Sequence, residues 1–164
     1  MINDIEALTA PGALDAVADT DCAVCLMHKK GDPATMQQAP SYADVTREVR
    51  EFLAARIAAC QIAGIEKDRI TIDPGFGFGK TAAHNLTLLR NLSRLSELPI
   101  LAGLSRKSTL GKITGRPVEE RLAGSLAMAL LALQAGATIL RVHDVKETRD
   151  VVAVWESFEK TLRN

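Results

Sequence analysis

Apolar positions along the chain fall into two alternating rhythms. Five short, partly β-branched runs read as strands: MINDI (1–5), CAVCLM (22–27), ITID (70–73), ILAGL (100–104) and TILRV (138–142). Between them, apolar residues recur at helical spacing. Val45, Val49, Phe52, Ile57 and Cys60 form one stripe, opened by the capping-box-like Ser41 and Asp44 and closed before Gly64. A second helix is predicted from His84 to Glu97, with Leu89, Leu92 and Leu95, stopping before Pro99. A third has Pro117 in its first turn, carries Leu122, Leu126, Leu130 and Leu133, and ends at Gly136. The last shows Val151, Trp155, Phe158 and Leu162 as one stripe that covers a sheet.

Strand alternating with helix predicts an α/β fold, with parallel pairing and right-handed crossovers. Five such units suit an open doubly wound sheet. They equally suit part of a (β/α)8 barrel, which takes about 250 residues when complete. The pattern alone does not choose between them. Both place a site at the C-terminal ends of the strands.

The 164 residues suit one domain with a sizeable core. Twenty basic residues balance twenty acidic ones, and the pI is about 6.8, so nucleic acid and anionic membrane are not the expected partners. No apolar run approaches the roughly 18 residues of a membrane span, and the N-terminus lacks a basic flank followed by an apolar core. The expected compartment is the cytoplasm. Cys22, Cys25 and Cys60 are expected as reduced core thiols, because the single C-x-x-C lies in a strand, where residues three apart face opposite ways.

The residues just past the strand ends change the picture. Lys29 and Lys30 come after the second strand, Asp73 and a glycine loop ending in Lys80 close the third, Ser105-Arg106-Lys107-Ser108 the fourth, and Arg141-Val142-His143-Asp144 the fifth. Four of five strands therefore deliver cations to one rim of a chain with no net charge, which suits an anion such as a phosphate. Arg141 and His143 stand two apart and point the same way, and either bind ligand or make a structural ion pair. His28 reads equally as a satisfied core residue or a functional one, His84 as a cap or surface residue, and the Lys29-Lys30 pair as a solvated turn.

The loop DPGFGFGK (73–80) resembles a phosphate-binding loop only at first sight. Pro74 stands where the P-loop requires its first glycine, and Gly75, Gly77 and Gly79 alternate, unlike the dinucleotide fingerprint. Phe76 and Phe78 would be exposed there without a partner, and a planar aromatic ligand would cover at least one of them.

Together, INDI, LMHKKGDPATMQ, DPGFGFGKTAAHN, GLSRKS and RVHDVKET resemble the dihydropteroate synthase family from residue 2 to about residue 155. The resemblance implies a (β/α)8 barrel, a homodimer and a magnesium cofactor. It implies condensation of hydroxymethyl-dihydropterin pyrophosphate with p-aminobenzoate, releasing pyrophosphate, and sensitivity to sulfonamides. By the same resemblance Asn3 and Asp73 read the pterin, with Met27 and Phe78 as walls and Gly103 among the substrate-binding positions. Lys107 contacts the pterin beside the aminobenzoate, Ser108 takes the aminobenzoate carboxylate, and Arg106 supports the rim. Arg141 stacks on the pterin and, with His143, binds pyrophosphate; Lys107, Arg141 and His143 are the implied catalytic set.

The family's chain has three strands before INDI. They carry its magnesium-binding Asn, an aminobenzoate-clamping loop and a further pterin-reading Asp. Residues 1–164 are thus expected to be a pterin-binding domain incomplete at its N-terminus, weakly active or inactive alone, with no metal ligand of their own. The competing readings are a non-catalytic pterin- or anion-binding half-barrel, a pterin-dependent methyltransferase domain and, disfavoured by Pro74, a P-loop ATPase.

Overall fold

A computed structural model describes residues 1–32 and 35–161. Its strands are β1 (Ile2–Asp4), β2 (Val24–Met27), β3 (Ile70–Asp73), β4 (Leu101–Ala102) and β5 (Ile139–Leu140). They alternate with α1 (Ala13–Ala18), α2 (Val45–Ile62), α3 (Ala82–Arg90), α4 (Ser108–Thr114), α5 (Leu122–Gln134) and α6 (Val145–Thr161). β1, β2 and β3 pair in parallel, with Asn3 beside Cys25 beside Thr71, and Met27 beside Asp73. β4 and β5 form a second parallel pair, and a parallel bridge from Ile72 to Ile100 joins the two sheets. The strands thus lie side by side in sequence order, and each pairing is parallel, as the strand–helix alternation requires.

Period-two geometry sorts the side chains between two faces. Val24, Leu26, Ile70, Ile72, Ile100 and Ala102 join Val49, Leu53, Leu88 and Leu92 in one apolar core. Each fully buried aliphatic side chain there contributes roughly 1.5–3 kcal/mol. The alternate positions, Asn3, Cys25, Met27, Thr71 and Asp73, share the opposite face, and the register of β4 and β5 continues it through Gly103 and Arg141.

The helices refine the predicted boundaries. Asp44 alone caps α2, accepting from the Arg47 N–H at 3.0 Å, while Glu48 accepts from the N–H groups of Ala43 and Asp44. Ser41 does not cap; its carbonyl accepts from Lys30 Nζ at 2.7 Å. The helix predicted over 84–97 ends at Arg90, where the Asn91 amide donates to the Thr87 carbonyl, and a 3₁₀ turn (Leu92–Arg94) completes the segment. Pro117 precedes another 3₁₀ turn rather than the helix, and α5 buries Ser125, Met128, Ala129, Ala132 and Leu133, so that of the predicted leucine stripe Leu133 is buried and Leu122, Leu126 and Leu130 are only half-buried. With LAGSLAMALLALQ apolar nearly all round, spacing could not select its inner face.

α6 also departs from expectation. It packs mainly on α5, buries Thr148, leaves Trp155 half-buried and exposes Phe158; Leu162 lies outside the described residues. Cys25 and Cys60 are core thiols, but Cys22 is exposed because it precedes the first residue of β2. No helix among the described residues is long and apolar enough to cross a membrane.

Candidate active site

The glycine loop sits against the end of β2. Gly75, Gly77 and Gly79 all have left-handed backbones, with φ of 68°, 82° and 65°. At Gly75 an added Cβ would lie 1.8 Å from the His28 carbonyl oxygen, and at Gly79 2.2 Å from that of Lys30. Backbone packs directly on backbone there, so glycine is required twice over, for its φ and for its size.

Each carbonyl from Gly75 to Gly79 accepts from a side chain. Lys80 Nζ donates to Gly75 and Phe78 at 3.0 Å each, Lys107 Nζ to Phe76, Gln37 Nε2 to Gly77, and Tyr42 Oη to Gly79 at 2.9 Å. The Gly75 N–H donates to Asp73 Oδ1 at 2.7 Å and the Gly77 N–H to Asn85 Oδ1 at 3.0 Å. Asn85, itself buried, donates onward to Thr109 Oγ1 in α4. A phosphate cradle needs its N–H groups turned toward the ligand. Here those of Gly75 and Gly77 are taken, so the loop is a frame, in agreement with the reading drawn from Pro74.

Several expected site residues turn out to belong to that frame. Phe76 is buried in the core, against the expectation that it would be exposed; Phe78 is half-buried, with Lys107 Nζ 5.0 Å from its ring centre. Lys80 is no rim cation, being only 2% exposed, and its Nζ also meets His28 Nδ1 at 2.9 Å. His28 is a core histidine set edge-on to Phe52, and burial, reinforced by the Lys80 charge, pushes its pKa down to about 3. Lys29 pairs with Glu6, and Lys30 pairs with Glu48 at 2.9 Å and lies over the Tyr42 ring. The cations after β2 and β3 are thus engaged in structure. His84 is a cap, completing a capping box with Thr81.

What remains at the mouth is a compact charged group. Asp73, fully buried, accepts from Arg141 Nη2 at 2.9 Å, so the structural ion pair weighed for Arg141 does exist. The Arg141 side chain nevertheless stays 40% exposed, and its Nε and Nη1 have no protein partner among the described residues. Gly103 makes room for it: a Cβ there would lie 2.8 Å from Arg141 Nη2. Burial, with the Arg141 charge and against the Asp73 carboxylate, brings Lys107 down to about 8. Burial and the same carboxylate push the Cys25 thiol up to about 12. Met27 is buried beside Asp73 in register, while Asn3 lies exposed on β1, on the same face two strands away.

The outer rim joins the loops after β4 and β5. His143 Nδ1 lies 3.0 Å from Ser105 Oγ, which also accepts the His143 N–H at 3.3 Å. Arg106 grips Asp144 with two hydrogen bonds, raising its own pKa and lowering that of Asp144. Its φ of 54° is unusual for a non-glycine residue. That turn is held by Ser125 Oγ, which accepts its N–H, and by Arg121, which donates to its carbonyl at 2.9 Å. Ser108 is exposed at the first turn of α4. The sequence reading missed Gln37, Tyr42, Asn85 and Arg121; the chain's single tyrosine and the Asn closing DPGFGFGKTAAHN were the available signals.

Similarity to known proteins identifies the family and the fold. The family profile "Pterin binding enzyme" matches residues 1–143. The dihydropteroate synthase of Escherichia coli (strain K12) is 50% identical over 159 residues, which are 96% of this chain and 56% of that protein. Among solved structures, the Xanthomonas albilineans dihydropteroate synthase in complex with 7,8-dihydropteroate superimposes with a TM-score of 0.90 at 54% identity, covering 97% of this chain and 60% of that one. The same enzyme with 4-aminobenzoic acid gives a TM-score of 0.91 at 54% identity, covering 97% and 57%. The chain therefore spans a little over half the length of these relatives. The likeness selects a partial (β/α)8 barrel over an open doubly wound sheet.

Proposed function

The chain belongs to the pterin-binding enzyme family, and from that premise we propose that it forms the pterin- and pyrophosphate-binding part of a dihydropteroate synthase. The observation that carries the proposal is the Asp73 carboxylate. It is buried, held on one oxygen by the Gly75 N–H, and closed on the other only by a guanidinium that remains partly exposed. The paired N–H donors on the amino-pyrimidinone edge of a pterin suit such a carboxylate, each charged hydrogen bond contributing roughly 1.5–3 kcal/mol. Arg141 would then swing to stack on the ring. Asn3, Met27, Phe78 and Gly103 would complete the pocket, Lys107 would sit between pterin and aminobenzoate, and Ser108 would take the aminobenzoate carboxylate with Arg106 supporting the rim.

In this reaction the aniline nitrogen attacks the pterin methylene. A C–N bond forms, the C–O bond to pyrophosphate breaks, and the nitrogen loses a proton. The aniline is neutral and needs no strong base, so departure of the multiply charged pyrophosphate is the difficult step. Prepositioned cations are the main means of easing it, the role proposed for Arg141 and His143 with Lys107 near the methylene. Magnesium would supply further charge stabilisation to the pyrophosphate. By the family resemblance its protein ligand, an asparagine, belongs to the part of the relatives that this chain does not span. The proposal also makes residues 1–164 part of the pterin-binding domain of a cytoplasmic, homodimeric sulfonamide target.

The test is product formation from hydroxymethyl-dihydropterin pyrophosphate, p-aminobenzoate and magnesium, by the chain alone and with the N-terminal half of a relative supplied. Weak or no turnover alone, restored by the added half, is expected, since lost positioning and charge stabilisation each cost roughly 10²-fold or more. Turnover of order 1 s⁻¹ by the lone chain would overturn the division of labour. No turnover in either mixture would leave the non-catalytic half-barrel as the better reading.

A further inference from the structure

Lys80 has no place in the proposed chemistry, yet among the described residues its ammonium group meets more acceptors than that of any other lysine. All three of its N–H donors have acceptors in reach: the carbonyls of Gly75 and Phe78 at 3.0 Å each and His28 Nδ1 at 2.9 Å, with the His28 carbonyl at 3.4 Å. Two of those acceptors belong to the glycine loop and two to the residue just past β2. One side chain therefore ties the loop to the neighbouring strand end, between Asp73 on one side and Phe78 on the other. We propose that Lys80 is a positioning residue of the pterin pocket, its sealed amine setting the loop curvature that aims the Asp73 carboxylate and the Phe78 ring. The inference rests on the pterin reading for its ligand, but its geometric content does not.

The pair with His28 keeps that grip in either protonation state. A charged Lys80 donates three hydrogen bonds, one of them to the Nδ1 lone pair of a histidine protonated on Nε2. A neutral Lys80 donates two, to Gly75 and Phe78, and accepts the third from a histidine protonated on Nδ1. Burial, with the Lys107 charge and against the Asp73 carboxylate, lowers Lys80 to about 7. The charged groups that bear on the pair are Asp73 from β3, Lys107 from the N-cap of α4, and Lys30 and Glu48 acting on His28. Because the pKa in the closed loop lies below the ordinary 10.5, an opened loop binds more protons between about 7 and 10.5. The closed loop is therefore favoured as pH rises through that window.

Lys80→Met keeps the buried stem and removes the donors. Calorimetric titration with 6-hydroxymethylpterin should show at least about tenfold weaker binding than wild type, as misplaced site groups commonly cause. The melting temperature should fall, because the Gly75 and Phe78 carbonyls and His28 Nδ1 lose a buried donor, so affinities are compared well below the transition. Amide-exchange protection at Gly77 and Phe78, corrected for intrinsic rates, should rise from about pH 6 to about pH 9 in wild type and rise distinctly less in the variant, in which only Lys107 still titrates. Unchanged pterin affinity in Lys80→Met would overturn the proposal. If that variant does not fold, protection in Lys107→Met, which keeps Lys80 and removes the other titrating amine on the loop, decides: a flat profile overturns the proposal and a rising one sustains it. If wild type binds no pterin, the pterin reading fails, and the same exchange profiles alone decide whether Lys80 holds the loop.

Discussion

In the loop after β3, Lys80 ends beneath the chain with every donor in use, whereas after β4 Lys107 reaches one carbonyl and lies across the half-buried Phe78 ring. The asparagines contrast in the same way. Asn85 is buried and bonded on both its oxygen and its nitrogen, while Asn3 is exposed on β1. The glycine loop is thus a frame whose polar groups face one another. The rim of Arg106, Lys107, Arg141 and His143 is a surface whose charges are only partly answered from within. Residue type alone does not separate scaffold from site; the number of satisfied donors does.

Three substitutions break or sharpen this contrast. The largest effect is expected from Gly75→Ala. Its new Cβ would meet the backbone of His28 rather than a flexible side-chain tip, on a residue with φ of 68°. Urea denaturation should show a loss of roughly 1–3 kcal/mol, and pterin binding should fall with it. A melting profile and pterin affinity like wild type would show that the loop is not a rigid frame.

At the rim the effect should appear in binding instead. Arg141→Ala should weaken pyrophosphate binding at least about tenfold, because a charged and partly desolvated contact is lost. Gly103→Ala, whose Cβ would have the movable Arg141 guanidinium as its nearest neighbour, should have the smaller effect of the same kind with little loss of stability. Unchanged pyrophosphate affinity in Arg141→Ala would remove Arg141 from the anion site.

Much of this was legible in the sequence because periodicity reports burial. The five strands and the buried positions Val45, Val49, Leu89 and Leu92 followed from spacing, whereas the strands' side-by-side sequence order belongs to the barrel that only the family resemblance implied. What spacing could not give was a choice among equally apolar faces, as on α5, or the partner of a polar residue distant in sequence. Lys80 reads as a rim cation next to a glycine loop; its burial depends on His28, 52 residues earlier in the chain. Phe76 reads as exposed because its loop is short and glycine-rich, yet the loop turns it into the core. The pairing of Asp73 with Arg141 spans 68 residues, and only the parallel register brings the two together.

The central claim is that Asp73 reads the edge of a pterin. The most direct measurement is a calorimetric titration of the chain with 6-hydroxymethylpterin, wild type against Asp73→Asn. Asparagine keeps the size of the side chain and an oxygen for the Gly75 N–H but removes the charge. The account expects binding by wild type and a loss of at least about tenfold in the variant, the difference between charged and neutral hydrogen bonds. Equal affinity in the two proteins, or no binding by wild type, would contradict it.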